Sequence, residues 1–234
     1  MENTNYNNQA PSVGGSFSRG WQVIFGKQFL PLLLTVIIMG LLNGPSYTAK
    51  FDGNDFSGPF LFLLPLALFG LAYAFLFLPI LEYGKDFIFL KAIREEEADL
   101  RILFEGFRTK YLNIVLANLI VFALVILGTF MLIIPGIIVW CRLVFVSYLV
   151  MDKNMEPMKA VEKSWQMTRG HGWEIFGMAI LSFFVFIGGV IVFIVGAIIS
   201  LMWIHSAFAA MYQSVLNEKD DDDNPIPILG VNEV

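Results

Sequence analysis

Residues 111–134 run for 24 positions without a formal charge, close on Pro135-Gly136, and are followed at once by a second apolar run, 137–151. About twenty consecutive apolar residues are what a helix needs to cross the hydrocarbon of a bilayer, where every backbone polar group must be satisfied inside the segment. With no polar loop between them, the two runs predict a tight membrane hairpin turned at the Pro-Gly pair. The pattern returns downstream, where 173–192 and 196–216 again follow one another with hardly any loop. Gly136 and Gly196, which mark the two hairpins, are 60 positions apart, and Arg108-Thr109 and Thr168-Arg169 precede them at nearly the same offset. Two earlier apolar stretches complete the set. Residues 21–42 carry Trp21 as an interfacial anchor, Lys27 and Gln28 in the headgroup zone, and Pro31 as a kink. Residues 60–83 form the second span, after a turn-rich polar loop over 43–59.

Composition agrees with six spans. The chain is 57% hydrophobic and 15% charged, against about 45–50% and about 25% for a soluble domain. Its 23 phenylalanines are too many for a soluble core of 234 residues. The expected fold is therefore an all-α membrane protein of six transmembrane helices. A single cysteine, Cys141, excludes an internal disulfide, and two histidines argue against a His-based metal site.

The segments between the spans suggest one unit used three times. Residues 18–26 (SRGWQVIFG), 104–117 (FEGFRTKYLNIVLA) and 164–183 (SWQMTRGHGWEIFGMAILSF) each bring aromatic and basic residues up to an apolar run. The unit reads as an interfacial segment followed by a membrane hairpin. Residues 85–108 set Ile88, Leu90, Ile93, Leu100, Leu103, Phe104 and Phe107 mainly at helical spacing, which predicts amphipathic helix on the membrane surface. Glu95, Glu96, Glu97 and Asp99 are read as its solvated face, balanced by Lys91, Arg94 and Arg101. In 152–171, Pro157 is placed for the first turn of a helix whose apolar face is Met158, Val161 and Trp165. The expected division is a disordered tail over 1–17, the membrane domain over 18–216, and a disordered acidic tail over 217–234 with Asp220–Asp223.

Lys and Arg orient the chain. Twelve lie on the tails and the two large loops of one side, and one, Lys50, on the other. Both termini and both basic loops are therefore expected in the cytoplasm.

Ile134-Pro135-Gly136-Ile137, the segment from Pro157 through Ala160 and Ser164 to Met167-Thr168-Arg169-Gly170, and Leu181-Ser182-Phe183 carry a resemblance. Together with Tyr83-Gly84 and Leu103-Phe104-x-Gly106-Phe107, they resemble a family of bacterial integral membrane proteins of unknown function. That family is similar to the membrane domain attached to some glycerophosphodiester phosphodiesterases. The resemblance covers roughly 60–216 and implies a fold and an inner-membrane location, but no chemistry.

Nothing in the chain reads as catalytic. There is no HExxH, GxSxG or Walker loop, and too few residues remain for a phosphodiesterase barrel. No cofactor, metal or nucleic-acid partner is expected. The sharp signals are Arg142 inside span four and His205 inside span six, because ionisable groups are costly within a bilayer. At 1.5 Å per residue they sit about 9 Å and about 13 Å from the outer face, which predicts a shared anion- or lipid-accepting pocket completed by Ser206 and Tyr148. Trp165, Arg169, His171 and Trp173 are expected interfacial lipid contacts. The functional expectation is a non-enzymatic accessory or interaction module touching anionic lipid, with a membrane-protein partner. The alternative is a small-solute or lipid transporter built on the Arg142–His205 centre.

Overall fold

The computed structural model describes residues 11–26, 28–43, 68–191 and 193–223, and every regular element among them is helical. Five helical runs are long and apolar enough to cross a membrane: Leu68–Ile93, Tyr111–Met131, Ile133–Asp152, Gly172–Ile191 and Val195–Lys219. A sixth crossing exists only if the bent first pair counts as one span. The loop expected over 43–59 lies, from residue 44 onward, outside the described residues.

The chain opens on α1 (Val13–Ile24), whose N-cap Ser12 accepts a hydrogen bond from the Gly15 amide. Residues 13–17, expected in a tail, are thus its first turns, and Phe17 is buried in the core. α1 and α2 (Phe29–Asn43) meet at 102°, so the continuous span expected over 21–42 is broken. Its 15 membrane-like residues are fewer than the twenty or so a perpendicular crossing needs. α1 instead lies along the last helix, α10 (Phe193–Asp223). A Cβ at Gly20 would come within 2.9 Å of the Ala207 nitrogen, so glycine is what permits this contact. The Trp203 indole then donates to the Phe17 carbonyl at 2.7 Å.

The run 68–93 contains a π-helical turn, Tyr73–Phe77, directly before α3 (Leu78–Ile93). Pro79 sits in the first turn of α3 and has no N–H to give the preceding turn, which is where such irregularities arise. The amphipathic surface helix expected from residue 85 is corrected here. α3 continues through it, and Ile88, Phe89 and Leu90 are fully buried. The alternation of charge and apolar residues in this stretch reflects burial against other helices, not a water–lipid boundary. Residues 94–101 are turns and irregular backbone, so the acidic residues there form a loop and not a helix face. Only α4 (Ile102–Thr109) is a short amphipathic helix. It crosses α3 where a Cβ on Gly84 would meet the Leu103 Cα at 2.8 Å, and one on Gly106 would meet Ile80 and Ile114 side chains at 2.8 and 2.7 Å. The Tyr83-Gly84 and Leu103–Phe107 motifs are therefore the two halves of one close crossing.

α5 (Tyr111–Met131) and α6 (Ile133–Leu143) form the expected hairpin, but the break falls at the extended Leu132. Pro135 and Gly136 lie in the first turn of α6, where proline costs no helical hydrogen bond. Gly136 is buried against Thr129, whose Oγ1 would stand 2.3 Å from an added Cβ. The second crossing continues as α7 (Val146–Asp152) after an interruption at Val144-Phe145. α8 (Pro157–Met167) buries Ala160, Val161, Ser164 and Met167. Of the apolar face expected from Met158, Val161 and Trp165, only Val161 is buried in the bundle, and Met158 and Trp165 are exposed on the outer side of the helix. Gly170 follows with φ of 102°, a left-handed conformation that ends the helix at low cost for glycine. α9 (Gly172–Ile191) then pairs with α10, in contact at Gly189, whose added Cβ would lie 2.0 Å from Ser200 Oγ. Gly188 faces open space. α10 extends to Asp223, so the tail expected from 217 is helical over its first seven residues.

Candidate functional site

Charges enter the bundle at two places. The first is on α3, where Glu82, Tyr83, Gly84, Lys85 and Asp86 interrupt an apolar helix. Glu82 and Lys85 are three apart and so share a face. Lys85 Nζ donates to Glu82 Oε2 at 2.5 Å and stands 3.8 Å from Asp86 Oδ1. The hydroxyl of Ser147, in the first turn of α7, donates to Asp86 Oδ2 at 2.7 Å. Only 6% of Lys85 is exposed. A charge in such surroundings is tolerable when it is paired, as Lys85 is with Glu82 and Asp86. Beside this centre lies a cleft of about 170 Å³ between α3, α5 and the α6–α7 interruption, with Tyr83, Asn118, Trp140 and Ser147 among its lining.

About two and a half turns further along, at the C-cap of α3, a second network ties the bundle together. The Arg94 guanidinium forms a bidentate pair with Asp152 and donates from Nε to Gln213 Oε1 at 2.6 Å. Tyr212 also donates to Asp152, at 3.1 Å. The Asp152 hydrogen bonds raise the Arg94 pKa further above its ordinary value. Lys110 Nζ donates to the Met151 carbonyl at 2.7 Å, capping α7, and burial lowers its pKa.

The other charge is Arg142, near the end of α6. Its carbonyl accepts from Ser164 Oγ at 2.8 Å and Thr168 Oγ1 at 3.3 Å, and its Nη1 donates to the Thr168 carbonyl at 2.6 Å. The hydroxyls of α8 thus satisfy a carbonyl that the α6–α7 interruption leaves without its helical partner. This explains the Ala160–Ser164–Thr168 spacing: a small residue and two hydroxyls dock α8 onto α6. No carboxylate among the described residues pairs with the guanidinium. It stands at one end of an apolar groove of about 520 Å³, lined by Ile134, Ile137, Ile138, Cys141, Trp173 and Phe176. The Trp165 ring lies 6.0 Å from its guanidinium carbon.

The shared pocket expected from Arg142, His205, Ser206 and Tyr148 does not form. Arg142 reaches the α8–α9 turn, on the side of the basic loops and not the opposite face. The His205 ring lies against Phe89 at 5.4 Å, and Tyr148 stacks on Tyr212 at 4.9 Å. Ser206 is buried under Gly20, and its hydroxyl has no hydrogen-bond partner among the described residues. Similar depth along two helices does not bring Arg142 and His205 together, because each packs against a different element. The expected interfacial residues fare differently from one another. Trp173 is 82% exposed, Arg169 is exposed, and Trp165 is partly so. His171, in contrast, pairs with Glu218 at 3.0 Å, tying the α9 N-terminus to α10.

The Lys85–Asp86 centre escaped sequence reading because 60–83 already satisfied the length of a span. The available signal was the apolar stretch after it, 87–90, which resumes as though the helix had not ended. Comparison of the chain with protein-family models, with curated proteins and with solved structures finds no match. Among the described residues, no group of His, Cys, Asp and Glu is arranged to hold a metal ion.

Proposed function

We propose that this chain is a non-enzymatic, multi-pass protein of a bacterial inner membrane that binds anionic lipid and acts as an accessory or interaction module. The observation that carries the reading is Arg142: a guanidinium without a carboxylate partner among the described residues, at the mouth of an apolar groove large enough for a ligand. An acyl chain fits the isoleucine and aromatic walls, and a headgroup phosphate supplies the counter-charge in the form a guanidinium binds best. Exposed Trp173 and Arg169 flank the same turn, as interfacial anchors do. The excess of Lys and Arg on one side supports cytoplasmic termini and basic loops next to an anionic leaflet. Two short helices, α4 and α8, each precede a long apolar one, and α1 precedes the shorter apolar α2, in keeping with the repeated unit and with the family resemblance.

The test is thermal unfolding of delipidated protein in detergent with added phosphatidylglycerol or phosphatidylcholine. Phosphatidylglycerol should raise the midpoint in the wild type and leave Arg142→Leu unchanged. Equal responses of the two proteins would overturn the reading. Orientation is checked separately: a cysteine placed within 43–59 should react with an impermeant thiol reagent in intact cells, and one within 152–169 should not. A transport role is the second reading. It is favoured by paired charges inside a span beside an interrupted helix, features that line substrate paths in transporters.

A further inference from the structure

The two hairpins have unlike ends. At the base of the first, on the side of the basic loops, the rings of Phe104, Phe107 and Tyr111 follow one another at 6.4 Å per step from α4 into α5, with exposed Arg108 one turn beyond Phe104. At the base of the second, exposed Trp173 meets Phe176 at 6.1 Å, with exposed Arg169 shortly before it. Aromatic and cationic side chains together fix a helix at the boundary between headgroups and hydrocarbon. The turns at the other end carry nothing of the kind. Residues 119–139 and 183–199 contain no charge, no tryptophan and no tyrosine.

Among the described residues, Phe130 at the first turn is the most exposed large apolar side chain, at 87%, and Met131, Leu132, Ile133 and Ile134 are exposed beside it. Ile191 and Val195 are exposed at the second turn. In water such patches are a liability. The first is continuous with Leu119, Phe122, Ile126 and Leu127, exposed at helical spacing along α5, so the surface that meets acyl chains beside the span runs on over its tip. Length agrees. α5 has 21 residues and α9 has 20, about 32 Å and about 30 Å at 1.5 Å per residue, against about 30 Å of hydrocarbon. Each arm therefore ends where the hydrocarbon ends, with no residue to spare. The backbone of the first turn suits that place. The Leu132 amide donates to the Gly128 carbonyl at 3.2 Å, Pro135 has no amide to satisfy, and the Gly136 amide donates to the Leu132 carbonyl at 3.3 Å.

We propose that both hairpins hold the bilayer from the basic-loop side alone, and that their turns, at Leu132 and Ile191, are surfaces for the acyl chains of the opposite leaflet. In a thicker bilayer the bases keep their level and the turns sink. The inference is independent of the Arg142 groove, and its test uses phosphatidylcholine only, so no result of it bears on the anionic-lipid reading. Full-length protein is spin-labelled at a single cysteine, Phe104→Cys or Leu132→Cys in a Cys141→Ser background, and reconstituted in bilayers with about 27 to about 33 Å of hydrocarbon. Label depth is read from collisions with oxygen, which concentrates among acyl chains, and with a water-soluble nickel chelate. The Leu132 label should favour oxygen over the chelate at about 30 Å, and should lie about 6 Å deeper at the thick end of the series than at the thin end. The Phe104 label should keep its depth throughout. Should the Leu132 variant fail to fold, Ile133→Cys on the same turn replaces it. A turn label open to the chelate at about 30 Å of hydrocarbon puts the turn in water and overturns the proposal. Shielding from both reagents means that protein, not lipid, covers the turn, which overturns it too. Equal shifts of the two labels overturn the one-sided anchoring.

Discussion

Lys85 and Arg142 both lie within helical runs long enough to cross a bilayer, and the fold treats them in opposite ways. Lys85 is enclosed on α3 between Glu82 and Asp86, with Ser147 completing the carboxylate's hydrogen bonds. Arg142 is partly exposed, bonds only to the backbone carbonyl of Thr168, and faces an open apolar groove. The difference teaches what each position is for. A charge neutralised from within holds helices together and leaves little for a ligand except the adjoining cleft. A charge neutralised by nothing inside the described fold asks for a counter-ion from outside. The two are linked through the interruption at Val144-Phe145, which separates Arg142 on α6 from Ser147 on α7.

The largest expected effect is on the enclosed centre. Lys85→Met leaves two carboxylates facing each other without their cation and should cost about 3–5 kcal/mol of stability, the range for breaking a buried pair. Chaotrope-induced unfolding in micelles measures it. A cost below about 1 kcal/mol would mean that the centre is wet and that the contrast with Arg142 is false. Ser147→Ala should come next, at about 2 kcal/mol, because Asp86 loses a hydrogen bond to a charged group. The same measurement on Arg142→Leu should show less than about 1.5 kcal/mol: one charged hydrogen bond is lost, while the carbonyl that docks α8 is backbone and remains. An effect as large as that of Lys85→Met would make Arg142 a structural residue. The smallest and sharpest readout uses Cys141, buried in the groove wall. Its labelling by a small maleimide in detergent should slow severalfold with phosphatidylglycerol in the wild type, and not at all in Arg142→Leu. Undiminished labelling of the wild type would empty the groove.

Hydropathy by itself determined the class of fold, because a run such as 111–134 has no place to go but a bilayer or a core, and the chain is too short for so large a core. It also located four of the five long helices to within a few residues, and their hairpins by the glycines that permit close approach. Where a span ended was legible only when a charge lay outside the bundle. At Glu82–Asp86 the charges are paired within it, so 85–93, taken as surface helix, is core, and Ile88, Phe89 and Leu90 are buried by neighbours far away in sequence. The same limit governs the sites. Arg142 and His205 were legible singly as costly residues. Which residues share a cavity depends on which helices touch, and apolar helices of similar composition carry no sequence label for their neighbours. Packing alone joined Tyr83, Asn118 and Ser147 across three helices, and packing alone gave the Arg142 carbonyl to the hydroxyls of α8, leaving its guanidinium at the groove.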